Sequence, residues 1–380
     1  MTRRERLMAT LRGEPVDRPP VNFYEIGGFD INPADPDEFN IYNAPSWQPL
    51  LQLAEEETDL IRMRGPARKA VAPDLSPRFF QNETFMQDGS RYTRTTLRVA
   101  GREMTSLSRR DPAVNTHWTV EHLLKNTDDL RAYLELPDEL FHAETDVTPL
   151  VRADQEIGDR GIVMVDTGDP ICWAASLFSM EEYTVIALTE PALFHRLLEK
   201  LARVIYPQTE AAARDFAGHL WRICGPEYAT EPYLPPHLFD EYVVRYTGPM
   251  VATIQKYGGF ARLHCHGRLR GALPLIASMH PNGLDPIEPP PQGDMPLAEV
   301  RRRYGREMVL FGNIESSDLE SLEPPQFEKQ VRRALEEGTA GEGRGFVLMP
   351  SACPYGRTIA PNTLANYETM VRLATTWRRE

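Results

Sequence analysis

The segment GLDPIEPPPQGDMPLAEVRRRYGREMVLF (residues 283–311) decides the fold. It opens with a short apolar run at 283–287, passes through a helical pattern, and closes with a second apolar run at 308–311. Six other runs of this kind alternate with helical patterns, at 20–24, 59–63, 161–165, 219–224, 260–265 and 345–349. Eight strands that alternate with helices predict an α/β protein with the (β/α)8 TIM barrel architecture. A doubly wound open sheet is the alternative that the same alternation allows.

Residues 83–110 interrupt this alternation after the second predicted strand. Two β-rich runs, TFMQ and RYTRTTLRV, flank the turn sequence DGS, and a third run, MTSLS, follows. The pattern predicts a small antiparallel β insertion within a single barrel domain that covers 1–380 and ends in a helix at 363–376. The insertion could be a lid over the barrel mouth, a dimer contact or an inert excursion.

Composition narrows the class of partner. The chain of 380 residues holds 42 Lys and Arg against 55 Asp and Glu, and its formal charge of −13 argues against nucleic acid as the partner. No apolar run reaches the roughly 18–20 residues of a membrane helix, and the start MTRRERLMATLRGEP lacks the apolar part of a secretion signal. Four cysteines are too few for a disulfide framework. We therefore expect a cytoplasmic protein that acts on a small molecule.

Polar residues follow most of the predicted strands, at the end where a (β/α)8 barrel carries its active site. We expect Glu227, Glu231 and Asp166 to serve catalysis, and Glu227 or Glu231 would act as a general acid if burial raises its pKa. Further residues at the strand ends are expected to bind the substrate, namely Glu25, Arg62, Arg64, Glu288 and Asn313.

Three other residues at strand ends, His264, His266 and Cys353, are the candidate metal ligands. Alternate residues of a strand point to the same face, so His264 and His266 share one face and Cys265 turns to the other. Two imidazoles and a thiolate suit Zn2+, with the fourth position open to substrate or filled by a carboxylate. From spacing alone, two hydrogen-bonded histidines and an unrelated buried thiol explain the same residues. A one-residue shift of register would exchange His266 for Cys265.

Five segments carry a resemblance to a known family, namely ERLMATLRGEPVDRPPV (5–21), LPPHLFDEYVV (234–244), LHCHG (263–267), GLDPIEPPPQGDMPLAEVRRRYGREMVLFGNIE (283–315) and CPYGRTIAPNTLANY (353–367). Through them the chain resembles the uroporphyrinogen decarboxylase superfamily over nearly its whole length. The resemblance implies a (β/α)8 barrel, in agreement with the strand count. In the decarboxylase branch an arginine-rich motif after the first strand binds the substrate carboxylates, whereas this chain has YEIGGF (24–29) there. The cobalamin-dependent methyltransferase branch is therefore the better match.

Zinc-containing methyltransferases of that branch use a His-x-Cys pair on the fifth strand and a distant Cys. The resemblance matches His264 and Cys353 to the first and last of these, and His266 stands where the first Cys would be. An imidazole in place of a thiolate makes the metal a stronger Lewis acid. The resemblance thus implies that a methyl group moves from an oxygen-bound donor, such as a methoxylated aromatic compound, to the cobalt of a separate corrinoid protein.

Two other functions stay open. A metal-dependent lyase or decarboxylase-like enzyme would hold a small carboxylic acid through Arg62 and Arg64. The other is a non-catalytic binding protein, in which the residues at the strand ends would be remnants of an active site without a catalytic role. This chain has no corrinoid-binding motif of the Asp-x-His-x-x-Gly type, so a methyltransferase of this kind would receive its corrinoid from a partner protein. The oligomeric state, including a homodimer, is also left open.

Overall fold

The computed structural model describes residues 1–70 and 75–378. Its strands are β1 (Leu60–Arg64), β2 (Ala67–Ala70), β3 (Phe80–Gln87), β4 (Ser90–Val99), β5 (Arg102–Arg110), β6 (His117–Glu121), β7 (Ala143–Asp146), β8 (Gly161–Gly168), β9 (Leu220–Cys224), β10 (Phe260–Cys265), β11 (Gly283–Pro286), β12 (Val309–Ile314) and β13 (Phe346–Pro350). Its α-helices are α1 (Arg3–Arg12), α2 (Gln48–Glu57), α3 (Ser76–Phe79), α4 (Thr127–Leu134), α5 (Thr148–Ile157), α6 (Pro170–Ala175), α7 (Met180–Thr189), α8 (Pro191–Asp215), α9 (Pro236–Phe239), α10 (Arg245–Lys256), α11 (Leu273–Ser278), α12 (Leu297–Tyr304), α13 (Ser316–Ser321), α14 (Pro324–Gly338) and α15 (Pro361–Thr376). Short 3-10 helices cover Ile41–Asn43, Pro45–Trp47, Asp138–Phe141, Gly158–Arg160 and Pro226–Ala229, and a π-helix covers Asp240–Val244.

In the described part of the chain, seven strands form one parallel sheet in the order β1-β8-β9-β10-β11-β12-β13. Each strand pairs with its neighbour in parallel register, and helices connect the strands from β8 onwards. This arrangement confirms the α/β class. Seven of the eight predicted runs coincide with these strands, and β8 and β12 extend three residues beyond their predicted ends.

The prediction of a strand at 20–24 is wrong as stated. Within the described residues, this segment makes only an isolated parallel bridge, between Val21 and Leu348. Pro20 has no backbone N–H to donate, and Tyr24 leaves the extended region with φ 57°, so a regular ladder cannot continue. Even so, Val21 accepts a hydrogen bond of 2.7 Å from Asp59 N–H, which links the segment to the start of β1 as well as to β13.

Two separate apolar clusters cover the two faces of the sheet, and we call the face with the smaller cluster the inner face. The inner cluster consists of Leu7, Leu11, Tyr24, Ile61, Met63, Ile162, Met164, Leu220, Val309, Phe311, Val347 and Met349. Strand β1 shows the alternation, because Ile61 and Met63 belong to the inner cluster whereas Leu60 packs in a larger cluster with residues of the helices. Arg62 and Arg64 alternate with Ile61 and Met63, and therefore lie on the outer face with Leu60.

The insertion after β1 is larger than predicted. Four antiparallel strands, β3 to β6, form a sheet that runs from residue 80 to residue 121 instead of 83–110. The DGS sequence makes the predicted hairpin turn, with Asp88 and Gly89 at φ 51° and 77°. The loop before β6 contacts the segment after β13, since Asn115 N–H donates to the carbonyl of Tyr355 at 2.8 Å. The insertion therefore adjoins the segment that carries Cys353.

The helices begin and end at ordinary sequence signals. Thr2 and Glu5 form a capping box at the start of α1, and Gly13 ends the helix at φ 74°. Helix α15 contains the predicted closing helix at 363–376. Across residues 1–70 and 75–378, we find no helix with both the length and the apolar character needed to cross a membrane.

Candidate functional site

His264 and Asp285 lie opposite each other on β10 and β11. His264 Nδ1 is 2.7 Å from Asp285 Oδ2, and Arg262 donates to both oxygens of the same carboxylate at 2.5 and 2.9 Å. Asp285 is fully buried. Burial alone raises the pKa of Asp285, but the charges and hydrogen bonds of Arg262 and His264 outweigh burial and hold it well below its usual range. The carboxylate is thus ionised and fixes the orientation of the imidazole.

His266 and Glu288 form a second imidazole–carboxylate pair next to the first. His266 Nδ1 is 2.8 Å from Glu288 Oε1, and Glu288 Oε2 accepts a 2.6 Å hydrogen bond from Gly267 N–H. Burial lowers the pKa of His266, but the hydrogen bond and charge of Glu288 prevail and raise it above its usual value. The ring centroids of His264 and His266 are 4.5 Å apart. With both Nδ1 atoms held by carboxylates, each imidazole has Nε2 left for a ligand or a proton.

A cavity of about 290 Å³ opens beside His266. Four residues predicted from the sequence line it together, namely Glu227, Glu231, His266 and Glu288. The remaining lining residues are Tyr228, Thr230, Pro232, Tyr233, Gly267, Arg268 and Gln292. Glu227 sits on a short 3-10 helix that follows β9, and its Oε2 accepts a hydrogen bond of 3.1 Å from Gly225 N–H. The cavity therefore combines carboxylates, an imidazole, a guanidinium and two phenol rings.

Cys353 lies after β13, and Glu25 lies after the segment that bridges to β13 through Val21. The thiol of Cys353 is 1% exposed and donates to Glu25 Oε2 at 2.6 Å. Burial, with the adjacent carboxylate of Glu25, raises the pKa of Cys353 well above its usual value. Among the described residues, no three or more His, Cys, Asp or Glu side chains are grouped so that they could hold a metal ion. The structure thus brings His264 and His266 together, but in it Cys353 is hydrogen-bonded to Glu25.

A sequence model described as "Uroporphyrinogen decarboxylase (URO-D)" matches residues 110–377. The chain belongs to the uroporphyrinogen decarboxylase family. Two curated relatives, the uroporphyrinogen decarboxylases of Microcystis aeruginosa and Methylococcus capsulatus, are 25% identical over 174 residues and 26% identical over 210 residues. The alignments cover 42% and 53% of this chain and 45% and 57% of the relatives, so the chain spans about half the length of the curated relatives that it matches.

One solved structure, a methyltransferase from Methanosarcina mazei, is similar to this family member over almost the whole chain. The TM-score is 0.63 at 17% sequence identity, and the match covers 99% of this chain and 98% of the other. At this level of identity the two proteins share a fold.

Three residues predicted to bind the substrate, Arg62, Arg64 and Asn313, do not line the cavity beside His266. Arg62 and Arg64 line a separate cavity of about 330 Å³, where Arg62 pairs with Glu55 at 2.5 Å and Arg64 donates to the carbonyl of Gly28 at 2.8 Å. Their outward direction follows from the alternation of β1. Asn313 lies half-buried, one residue before the end of β12. Substrate binding by Arg62, Arg64 and Asn313 stays a prediction.

Asp166 is held by an arginine that the sequence analysis did not single out. Arg222 of β9 donates to both oxygens of Asp166 at 2.6 and 3.1 Å, and it also donates to the hydroxyl of Tyr24. Arg262 of β10 stacks over Phe311 with its guanidinium carbon 4.6 Å from the ring centroid. The sequence did contain a signal for Arg222 and Arg262. Each stands within a mostly apolar strand, and a buried guanidinium requires a carboxylate partner.

Proposed function

We propose that this family member is a methyltransferase that moves a methyl group from an oxygen-bound donor to the cobalt of a separate corrinoid protein. The carrying observation is the pair of imidazoles, His264 and His266, each fixed by a carboxylate at the strand ends. The name of the similar Methanosarcina structure supports methyl transfer. We also infer that residues 20–22 close the sheet as an eighth strand, because they bond to β13 and to the start of β1.

The chemical types of the donors suit zinc, although within the described residues no three of them are grouped to hold a metal ion. Imidazole nitrogen and thiolate sulfur are the usual ligands of zinc. Zinc-bound histidines donate the N–H of their second ring nitrogen to a carboxylate, and Nδ1 of His264 and Nδ1 of His266 face Asp285 and Glu288 in this way. His264, His266 and Cys353 would hold the metal once the Cys353 side chain leaves Glu25 and moves to the two imidazoles. Zinc would supply a Lewis acid for the leaving oxygen of the donor. Cys353 binds as a thiolate only after it loses its proton, and Glu25 Oε2, at 2.6 Å, is the acceptor in place.

The protein's own groups then have distinct tasks. Asp285 and Glu288 orient the imidazoles. Glu227 carries one oxygen anchored by Gly225 N–H, so its other oxygen can give a proton to the leaving oxygen. Asp166, fixed by Arg222, positions groups at the strand ends and is already engaged in two hydrogen bonds. The methyl donor would occupy the cavity beside His266, and the corrinoid protein would dock over it.

A lyase or decarboxylase-like reaction on a small carboxylic acid is the second candidate. It is favoured by the raised pKa of His266, because a protonated imidazole beside Arg268 gives the cavity two cations for a carboxylate. In that case His266 would bind the acid and the metal would be dispensable.

Two assays run in parallel separate the two functions. The purified protein is mixed with a methoxylated aromatic compound and a reduced corrinoid protein, and the cobalt absorption spectrum is followed. In parallel, small carboxylic acids are tested for release of carbon dioxide without the corrinoid protein. A spectral change that needs both the donor and the chain supports methyl transfer. Carbon dioxide release, with no spectral change for any methoxylated donor, overturns it in favour of the lyase.

A further inference from the structure

Two cysteines outside the proposed ligand set face each other. Cys172 in α6 and Cys224 at the end of β9 place their sulfur atoms 4.0 Å apart. Both are free thiols, and both residues are half-buried. The other two cysteines, Cys265 and Cys353, are fully buried.

The backbone fixes this pair from both sides. Asp169 caps α6 by accepting from Cys172 N–H at 2.8 Å, and the N–H of Asp169 donates to the carbonyl of Cys224 at 2.9 Å. Gly225 follows directly, and a Cβ at that position would lie 2.6 Å from the Cβ of Cys172. Only a glycine lets the two segments approach this closely. The backbone packing therefore holds the two cysteines close together, in addition to the side-chain rotamers that bring their sulfur atoms near each other.

The two thiols have different surroundings. Cys224 donates its S–H to the carbonyl of Thr167 at 3.4 Å, which leaves its sulfur to accept from the S–H of Cys172. The Cys224 sulfur, burial and the nearby carboxylates of Asp169 and Glu227 raise the pKa of Cys172. A raised pKa disfavours the Cys172 thiolate, so Cys172 suits the second step of an exchange better than the first.

We propose that Cys172 and Cys224 are a thiol–disulfide site that hydrogen peroxide oxidises. The Cys224 sulfur attacks the O–O bond to form a sulfenic acid, and the released hydroxide takes up the thiol proton as water. The Cys172 sulfur then attacks the sulfenyl sulfur, the S–S bond forms, the S–O bond breaks, and a second water leaves. Two thiols lose two electrons and two protons, and one peroxide becomes two waters.

The geometry suits a disulfide better than a metal. A disulfide needs sulfur atoms about 2.05 Å apart, so each sulfur has to move by roughly 1 Å, which rotation about the Cα–Cβ bonds can supply. A metal would need further ligands, whereas the two sulfur atoms contact each other and the carbonyl of Thr167. The cross-link would join α6 to the strand end that precedes Glu227 and Tyr228, which line the cavity beside His266. Oxidation would thereby restrain one wall of the cavity.

The test uses the full chain in its folded state. The protein is treated with a small excess of hydrogen peroxide, its free thiols are alkylated under denaturing conditions, and its peptides are mapped by mass spectrometry. We expect the count of free thiols to fall from four to two, with Cys172 linked to Cys224, and to return to four with dithiothreitol. Cys172→Ser and Cys224→Ser should not form the link, whereas the control Cys265→Ala should form it like the parent.

Four free thiols after treatment that oxidises an unstructured dithiol peptide would overturn the proposal. A link that involves Cys265 or Cys353 instead would also overturn it. Should a serine variant fail to fold, the peptide map of the parent decides on its own. As a second measurement, amide exchange at 225–229 should slow in the oxidised protein and recover on reduction, and unchanged exchange there would contradict the restraint of the cavity wall.

Discussion

Asp285 and His264 occupy paired positions on adjacent parallel strands, and a 2.7 Å contact joins Oδ2 of the first to Nδ1 of the second. Arg262 also donates to this carboxylate, through Nε and Nη2. A buried carboxylate with a cation on one side and an imidazole on the other fixes the ring and leaves its Nε2 for chemistry. This relationship places His264 at the centre of the proposed site.

Replacement of Asp285 by Asn should destabilise the protein strongly. Arg262 is 1% exposed and would keep a buried charge without a counter-charge. Breaking a buried pair in this way costs roughly 3–5 kcal/mol of the free energy of unfolding. Urea unfolding measures the loss. Glu328→Gln is the control, because Glu328 pairs with Arg332 and Arg372 at the surface and its loss should be small. Equal losses in the two variants would contradict the role of Asp285.

The buried carboxyl group of Asp169 should make stability depend on pH. Burial raises its pKa from an ordinary 3.8 to about 7 in the folded protein. Between these values the folded protein holds a proton that the unfolded chain releases, so the free energy of unfolding falls as pH rises through about 7. The difference between the two values corresponds to roughly 4 kcal/mol at most.

Asp169→Asn tests this dependence, because an amide resembles the protonated acid and still meets Thr247 and the N–H of Cys172. Unfolding is measured at pH 5 and pH 8 for both proteins. The parent should lose more stability than the variant over this interval. Parallel losses in the two proteins would show that Asp169 is ionised throughout.

Gly225→Ala should disturb the cavity wall. Gly225 has φ 132°, and a Cβ there would lie 2.0 Å from Asp169 Oδ1. The segment that carries Glu227 would have to shift, which we expect to cost about 1–3 kcal/mol of stability and to lower turnover. Gly218→Ala is a matched control, since Gly218 also has a positive φ, of 79°, but a Cβ there meets no atom within 4 Å. Equal effects of both substitutions would mean that backbone strain alone matters.

Glu288→Gln should lower the pKa of His266. The carboxylate charge and its hydrogen bond outweigh burial at that imidazole, so their removal leaves burial, which favours the neutral ring. The ring protons of His266 are titrated by NMR in protein stripped of metal with a chelator. Glu231→Gln serves as a control on the same cavity. An unchanged titration in Glu288→Gln would show that the pair does not form in solution.

Much of the sheet was predictable, because a strand buried on both faces has to be apolar along its length. The runs at 161–165 and 260–265 satisfy this requirement and form β8 and β10. The run at 20–24 looks similar but fails as a regular strand, since Pro20 withholds a donor and Tyr24 turns out of the extended region. A local sequence pattern thus predicts which residues are buried better than it predicts the conformation of the backbone.

The site was predictable in part. Glu227, Glu231, His266 and Glu288 come together because parallel strands end at one edge, which the alternation of strands already implies. The position of Arg62 and Arg64 in the run does not show which face of the strand is inner, so the sequence could not predict that both side chains turn to the outer face. The partner of Cys353, Glu25, lies 328 positions earlier in the chain, and no local pattern could pair them.

The metal content of the protein tests the central claim most directly. Protein purified without chelator is analysed for zinc, together with His264→Ala, His266→Ala, Cys353→Ala and the control His237→Ala, which alters an exposed histidine outside the site. We predict about one zinc per chain in the parent and the control, and none in the three site variants. A parent without zinc, or a His266→Ala variant that keeps it, would contradict a metal site on His264 and His266.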